Sequence, residues 1–328
     1  MLYDEPETLN IYSNVYNVYS NVYNVYDVCE ILHLEKYKKY KYVVATNNKI
    51  KYIIGCFGGN IIKIDVKKNK IEKIEKLPIK LKTFICERNL ILELNNLPKK
   101  LINLNCSFNM ISQLNNLPLE LKSLDCSNNN ILNLDYLPET ILYLNCENNK
   151  ITTISNLPNS IQILKIKNNP IEIFDCFPTN LIVLECSCSN SNIKSILNVL
   201  PMSIEKIYIE NNSIENFIQK ENFYKYDILD FSRFTNLTEI QIIGFKFNKI
   251  LLPDNITRLN LKSCNFNLIC FGNSQPISVK LEKTNINIDK CFFDIMPTSI
   301  KILNFTNTKL NKYYYWFVKK HNLNVNKY

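Results

Sequence analysis

Apolar and polar positions along most of this chain follow one phrase, Leu-Pro-x-x-Leu-x-x-Leu-x-Cys-x-x-Asn-x-Ile-x-x-Leu. Its prolines Pro78, Pro98, Pro118, Pro138, Pro158 and Pro178 stand 20 residues apart. In the copy opened by Pro118, Leu124 and Cys126 alternate with period two, which predicts a short strand with both side chains on one side. Asn129 falls where the chain must leave that strand. Ile131 and Leu134 then point back inward from the far side, and Leu137-Pro138 starts the next coil. Proline fixes φ and donates no N–H, which suits an extended segment outside a sheet ladder. A fixed period of this length predicts a stack of coils, a solenoid that presents a long surface, and not a globular domain around one site. Twenty residues leave no room for a full helix, so the outer side is expected to be extended or polyproline-like.

The copies set the domain organisation. Asn89, Asn109, Asn129, Asn149, Asn169 and Asn212 hold one slot, and Asn69 and Asn48 extend it backward. Pro201, Pro253 and Pro297 open further copies, with Cys264 and Thr308 in place of the asparagine. This gives a solenoid of about thirteen coils over residues 37–310, with an insertion near 214–233. Residues 1–36 form a Tyr/Val/Asn-rich segment in which Tyr12, Tyr19 and Tyr26 recur every seven residues. It reads as a low-complexity expansion, as a cap over the first coil, or as a dimerising or membrane-contacting helix. Residues 311–328, with Tyr313, Tyr314, Tyr315, Trp316 and Phe317, read as an aromatic C-terminal cap and tail.

Composition removes whole classes of function. The 12 cysteines would suit a secreted disulfide scaffold, but the opening residues lack the apolar run of a leader, so reduced thiols in a cytoplasmic compartment are expected. No stretch approaches the roughly 18 apolar residues of a membrane span. The net charge of +9 is unevenly placed: residues 36–82 hold 14 Lys against Asp65, Glu72 and Glu75. Those coils could serve as a basic patch for nucleic acid or another anionic surface. They lack arginine, the bidentate reader of phosphate, and a solvated face set by composition is the simpler reading.

The phrases Leu117-Pro118-Leu-Glu-Leu121-Lys-Ser-Leu124-Asp-Cys126-Ser-Asn-Asn129 and Leu137-Pro138-Glu-Thr-Ile141-Leu-Tyr-Leu144-Asn-Cys146-Glu-Asn-Asn149 carry a family resemblance. They are similar to the 20-residue leucine-rich repeats of secreted bacterial effectors and of giant DNA viruses of amoebae. Leu157-Pro158-Asn-Ser-Ile161 and Met296-Pro297-Thr-Ser-Ile300 resemble the related FNIP repeats. The resemblance implies an α/β-type but mostly β solenoid: a leucine-rich-repeat horseshoe with a parallel concave sheet and an extended convex side. It also implies that the slot asparagine bonds the backbone of neighbouring turns, and, for a viral protein, a place in the host cytoplasm. Some bacterial effectors of this kind add a ubiquitin ligase with a Cys-x-Asp motif. That motif does not occur here.

No catalytic set emerges. His33 and His321 are the only histidines, Gly55-Cys-Phe-Gly58-Gly59-Asn60 lacks the Lys-Ser/Thr ending of a phosphate loop, and no cofactor is implied. Cys86, Cys106, Cys126, Cys146 and Cys186 share one strand slot, so they stack as core fillers and do not converge on a metal. Cys188 is expected to point outward. The positions between buried leucines are expected to face a partner: Asn103, Asn105, Phe108, Ser123, Asp125, Asn128, Tyr143, Asn145 and Glu147, then Lys165, Lys167, Glu185, Tyr208 and Glu210. A polar face with scattered aromatic anchors suits protein recognition without catalysis.

Overall fold

The computed structural model describes residues 8–10, 30–55, 58–212, 228–273, 276, 278–286 and 302–306. It is the expected mostly-β parallel solenoid, divided into two compact units, residues 1–163 and 164–328. The tyrosine-rich heptads of residues 12–26, most of the insertion and the C-terminal aromatics lie outside the described residues.

In the first unit, strands of three residues recur once per coil. Lys63–Asp65, Thr83–Ile85, Asn103–Asn105, Ser123–Asp125 and Tyr143–Asn145 pair in parallel, each with its neighbour in sequence. The register is strict: Asn103 lies opposite Ser123 and Ser123 opposite Tyr143. Each strand is short because the phrase ends it. At Asn128 the backbone turns left-handed (φ 56°), and the same slot repeats at Lys68, Arg88, Phe108 and Asn148. A second left-handed corner at Asn96, Asn116, Tyr136 and Asn156 turns the chain into the next Leu-Pro. Between these corners Leu121, Leu124, Cys126 and Ile131 are wholly buried and Leu134 nearly so. Fully burying one such aliphatic side chain contributes about 1.5–3 kcal/mol.

The corner asparagine closes the coil. Asn129 is buried, and its Nδ2 donates to the carbonyls of Cys106 (3.0 Å), Cys126 (3.0 Å) and Ser127 (3.2 Å). Its Oδ1 accepts from the Ile111 N–H at 3.0 Å. One side chain therefore serves two coils. Asn89, Asn109 and Asn149 repeat the arrangement against their own neighbours.

In the coils opened by Pro78, Pro98, Pro118, Pro138 and Pro158 the outer side carries no helix. Short parallel ladders occur on the outer side too. Ile31–His33, Tyr52–Ile54 and Lys73–Ile74 form one in the first unit, and Ile228–Asp230, Lys249–Leu251 and Cys270 with its neighbours from Leu268 form one in the second.

The second unit departs further from the phrase. Its strands lengthen to Val183–Cys188 and Lys206–Asn211 (six residues each) and Glu239–Ile243, Arg258–Lys262 and Ser278–Glu282 (five each). Two expectations change as a result. Cys188 is fully buried, because period two continues along the longer strand and keeps it on the side of Leu184 and Cys186. Asn212 is exposed, and Asn211 is the buried residue whose Nδ2 donates to Gly244 O at 2.7 Å.

The coil that holds Cys188 also carries a helix, α1 (Ile193–Val199), where 20-residue spacing left no room for one. The strands flanking it begin at Val183 and Lys206, a longer interval than in the first unit. Arg233 Nη2 donates to the carbonyls of Leu197 (2.5 Å), Asn198 (3.2 Å) and Leu200 (3.4 Å), capping the helix end with a cation. Cys264 does take the asparagine slot. Its Sγ donates to Ile242 O and Lys262 O, both at 3.4 Å.

Replacing Asn129 by alanine leaves the buried Ile111 N–H without its acceptor and removes one donor from three carbonyls in two coils, so it should cost about 1–3 kcal/mol. Replacing exposed Asn133 should change stability by less than about 0.5 kcal/mol. Urea denaturation of the two variants checks the contrast; equal costs would contradict the role given to Asn129.

Candidate functional site

The polar face of the sheet gathers most of the residues expected to meet a partner, and it must be described separately in each unit.

In the first unit Asn103, Ser123 and Tyr143 form one row across registered strands, and Asn105, Asp125 and Asn145 form a second. The second row is committed to the fold. Asn105 Oδ1 accepts from the N–H (3.0 Å) and hydroxyl (2.7 Å) of Ser107. Asp125 does the same for Ser127 at 3.1 and 2.8 Å, and Asn145 Oδ1 accepts from Glu147 N at 3.2 Å. These local turns end each strand, since a short polar side chain bonding two residues on draws the backbone out of the ladder. Asn145 is itself buried and donates to Asp125 Oδ2 at 3.3 Å. It therefore offers a partner little surface.

Phe108 and Asn103 are exposed on this face, and Ser123 and Tyr143 of the first polar row are half-buried. Phe108 is 42% exposed and sits at a left-handed φ of 53°. That backbone costs a side-chain-bearing residue about 1–2 kcal/mol, and asparagine holds it more readily. The Arg88 guanidinium lies over the ring, 4.7 Å from its centroid. Asn128 holds the same corner one coil on.

In the second unit the face is laced with ion pairs. Glu185 meets Lys165 at 2.8 Å and Lys167 at 3.1 Å. Burial pushes the Glu185 carboxyl up, but hydrogen bonds and charge from the two lysines outweigh it and hold the pKa below the usual glutamate range. Tyr208 stands opposite Glu185 on one side and Gln241 on the other. Its hydroxyl is pushed up to about 12 by burial and by the Glu239 carboxylate, so it stays a neutral donor. Glu210 is half-buried one pleat further along the same strand.

The row continues through residues the sequence reading missed. Asn260 donates to Gln241 Oε1 at 2.9 Å, Arg258 reaches Glu239 at 3.7 Å, and Glu282 meets Lys262 at 2.9 Å and Lys280 at 3.7 Å. Their signal was the alternation Glu-Ile-Gln-Ile and Arg-Leu-Asn-Leu-Lys, which places them by period two even where the longer phrase has decayed.

The strand-slot thiols give no reactive centre, while Cys176 is exposed and Cys270 half-buried. Cys86, Cys106, Cys126, Cys146, Cys186 and Cys188 are buried, and burial drives each thiol pKa up, that of Cys188 to about 12. The described residues include no group of three or more His, Cys, Asp or Glu side chains able to hold a metal ion. No described helix is long and apolar enough to cross a membrane.

No protein-family model matches this chain, and no curated protein does. Solved structures do. An internalin (inlF) from Listeria monocytogenes str. 4b F2365 is 17% identical, with a TM-score of 0.59, covering 89% of this chain and 87% of its own. YopM from Yersinia enterocolitica WA-314 is 18% identical with a TM-score of 0.52, and the match covers 83% of this chain. This chain thus spans 62% of that YopM. A leucine-rich-repeat protein of Leptospira interrogans is 15% identical with a TM-score of 0.52, covering 88% of this chain and 79% of its own. At these identities the likeness establishes the leucine-rich-repeat fold and nothing finer.

Glu185 generates a pH test. A carboxyl held below its unfolded pKa contributes stability that is present above about 4.3 and lost as pH falls through the folded value. The stability gap between wild type and Glu185→Gln, open at about pH 7, should therefore narrow as pH falls below the ordinary glutamate range. Urea denaturation at several pH values measures it. A gap independent of pH would contradict the pairing.

Proposed function

We propose that the protein is a non-catalytic interaction scaffold that binds a protein partner on the polar face of its sheet. The observation that supports this most is Phe108. It is a bulky, half-exposed aromatic at a left-handed corner where the neighbouring coil carries Asn128, and folding would be easier with asparagine there too. Its ring lies under the Arg88 guanidinium and stands on the same unit's face as Tyr143. Rigid rings among amides give contact at low entropy cost, which is the composition of a recognition surface.

The surrounding polar groups fit the same role. Asn103 is tied to Thr83 Oγ1 at 3.3 Å, and Asp125 and Asn105 are tied to their serines, so the face is preorganised and a partner orders little. In the second unit Tyr208 is the aromatic counterpart, set among Lys165, Lys167, Glu185 and Glu210. The buried thiols act as core fillers, which suits a reducing compartment such as a cytoplasm, the host's if the kinship to viral repeats is real.

Phe108→Asn separates binding from folding. The substitution should stabilise the chain by about 1 kcal/mol by relieving the corner. Together with Tyr143→Ser it should abolish capture of a partner that wild type retains from lysate through salt washing. Tyr208→Ala, made separately, tests the second unit's face. Unchanged capture in all the variants would remove the sheet face from the account.

A further inference from the structure

A different surface of the first unit carries an unassigned charge pattern. The segments that lead into successive strands, residues 35–41, 58–62, 78–82, 98–102 and 118–122, stack as one edge. Backbone bonds fix the stacking: Ile62 N to Lys41 O (2.8 Å), Lys82 N to Ile62 O (2.9 Å), Ile102 N to Lys82 O (2.9 Å) and Lys122 N to Ile102 O (2.9 Å). These segments hold nine lysines, all exposed, against two acids, Glu35 and Glu120. Four strand steps separate Lys41 from Lys122, a run of about 19 Å. The charge is therefore a line along the stack and not a scatter over it.

Two aliphatic side chains stand in that line. Ile79 is 59% exposed and Leu119 is 79% exposed. They occupy the same place in coils two steps apart, about 10 Å, and Lys99 takes that place in the coil between. Neither supports the core, which is supplied in these coils by Leu81, Leu101 and Leu121.

We propose that this strand-entry edge docks on an anionic membrane leaflet, with the lysines at headgroup level and Ile79 and Leu119 dipping below it. Lysine is suited to a diffuse layer of negative charge, and each lysine near such a surface adds attraction of order 1 kcal/mol. Long lysine stems lie along an apolar boundary while their ammonium groups stay in water. Exposed aliphatic tips gain from the acyl boundary and would gain nothing from a phosphate backbone. A nucleic-acid surface would favour arginine forks and open aromatic faces instead. This edge has no arginine, and its Tyr37 and Tyr40 are only half-exposed, with Lys39 Nζ over the Tyr40 ring at 5.1 Å. The surface is separate from the sheet face, so the two readings stand or fall independently.

Cosedimentation of the full chain with vesicles tests it, comparing phosphatidylcholine alone with phosphatidylcholine containing about 30% phosphatidylserine. Wild type should bind the second and not the first. Lys80→Glu, Lys82→Glu, Lys99→Glu and Lys100→Glu combined should reduce binding by about a hundredfold or more. Ile79→Ser with Leu119→Ser, which keeps every charge and alters only exposed side chains, should reduce it about tenfold. Phe108→Asn should leave it unchanged. Equal binding to both vesicles, or no loss in the lysine variant, would overturn the proposal. So would capture of single-stranded RNA through the same lysines with no dependence on Ile79 and Leu119.

Discussion

A chain that leaves a strand once every coil must find partners for the carbonyls and amides stranded at each corner, and in the first unit one asparagine side chain meets several at once. Asn129 reaches back to the carbonyl of Cys106 in the preceding coil, satisfies its own coil at Cys126 and Ser127, and accepts from Ile111 N. A carboxylate could not donate these bonds, and a glutamine would place the amide a methylene too far out. Strand register, the burial of the leucines and the exposure of alternate residues all follow from corners that repeat. The cysteines fit this scheme as small apolar fillers under the corner: Cys126 Sγ lies 3.4 Å from Asn145 O in the next strand and is wholly buried.

The same regularity decides which polar residues are available to a partner. A strand of three residues ends in a side-chain turn, so Asn105, Asp125 and Asn145 serve their own backbone first. What remains at least half-open to a partner is the row at Asn103, Ser123 and Tyr143, and the left-handed corner where Phe108 stands. Where the strands lengthen in the second unit, side chains pair across strands, and the face becomes a set of ion pairs around Glu185, Glu239 and Glu282. Most of these are partly exposed, so they orient groups more than they stabilise the fold.

The architecture was legible in the sequence because the repeat is written at three levels that agree: prolines at the coil start, leucines with period two in the strand, and asparagine at the corner. The inward set, from Leu121 through Leu134, could be named directly. Two departures were not legible, because both depend on strand length, which the phrase does not encode once its corner residue is lost. Cys188, expected outward, is buried because the strand runs six residues and period two keeps it beside Leu184 and Cys186. Asn212, expected at the corner, is exposed, and Asn211 is the buried residue. The residues of the polar face were found by alternation. Their division into fold-serving and available groups needed the hydrogen bonds, since an asparagine that closes a turn and one that faces solvent look alike in sequence.

Amide hydrogen exchange on the unmodified protein tests the asparagine corners most directly. The N–H groups of Ile71, Ile91, Ile111 and Ile131 each donate to an asparagine side chain in the following coil. They should exchange as slowly as the strand-linked amides of Cys86, Cys106 and Cys126, which donate to backbone carbonyls at 2.8 Å. Exchange of those isoleucine amides at the rate of open loops would show that the coils are held by apolar burial alone, and would contradict the account.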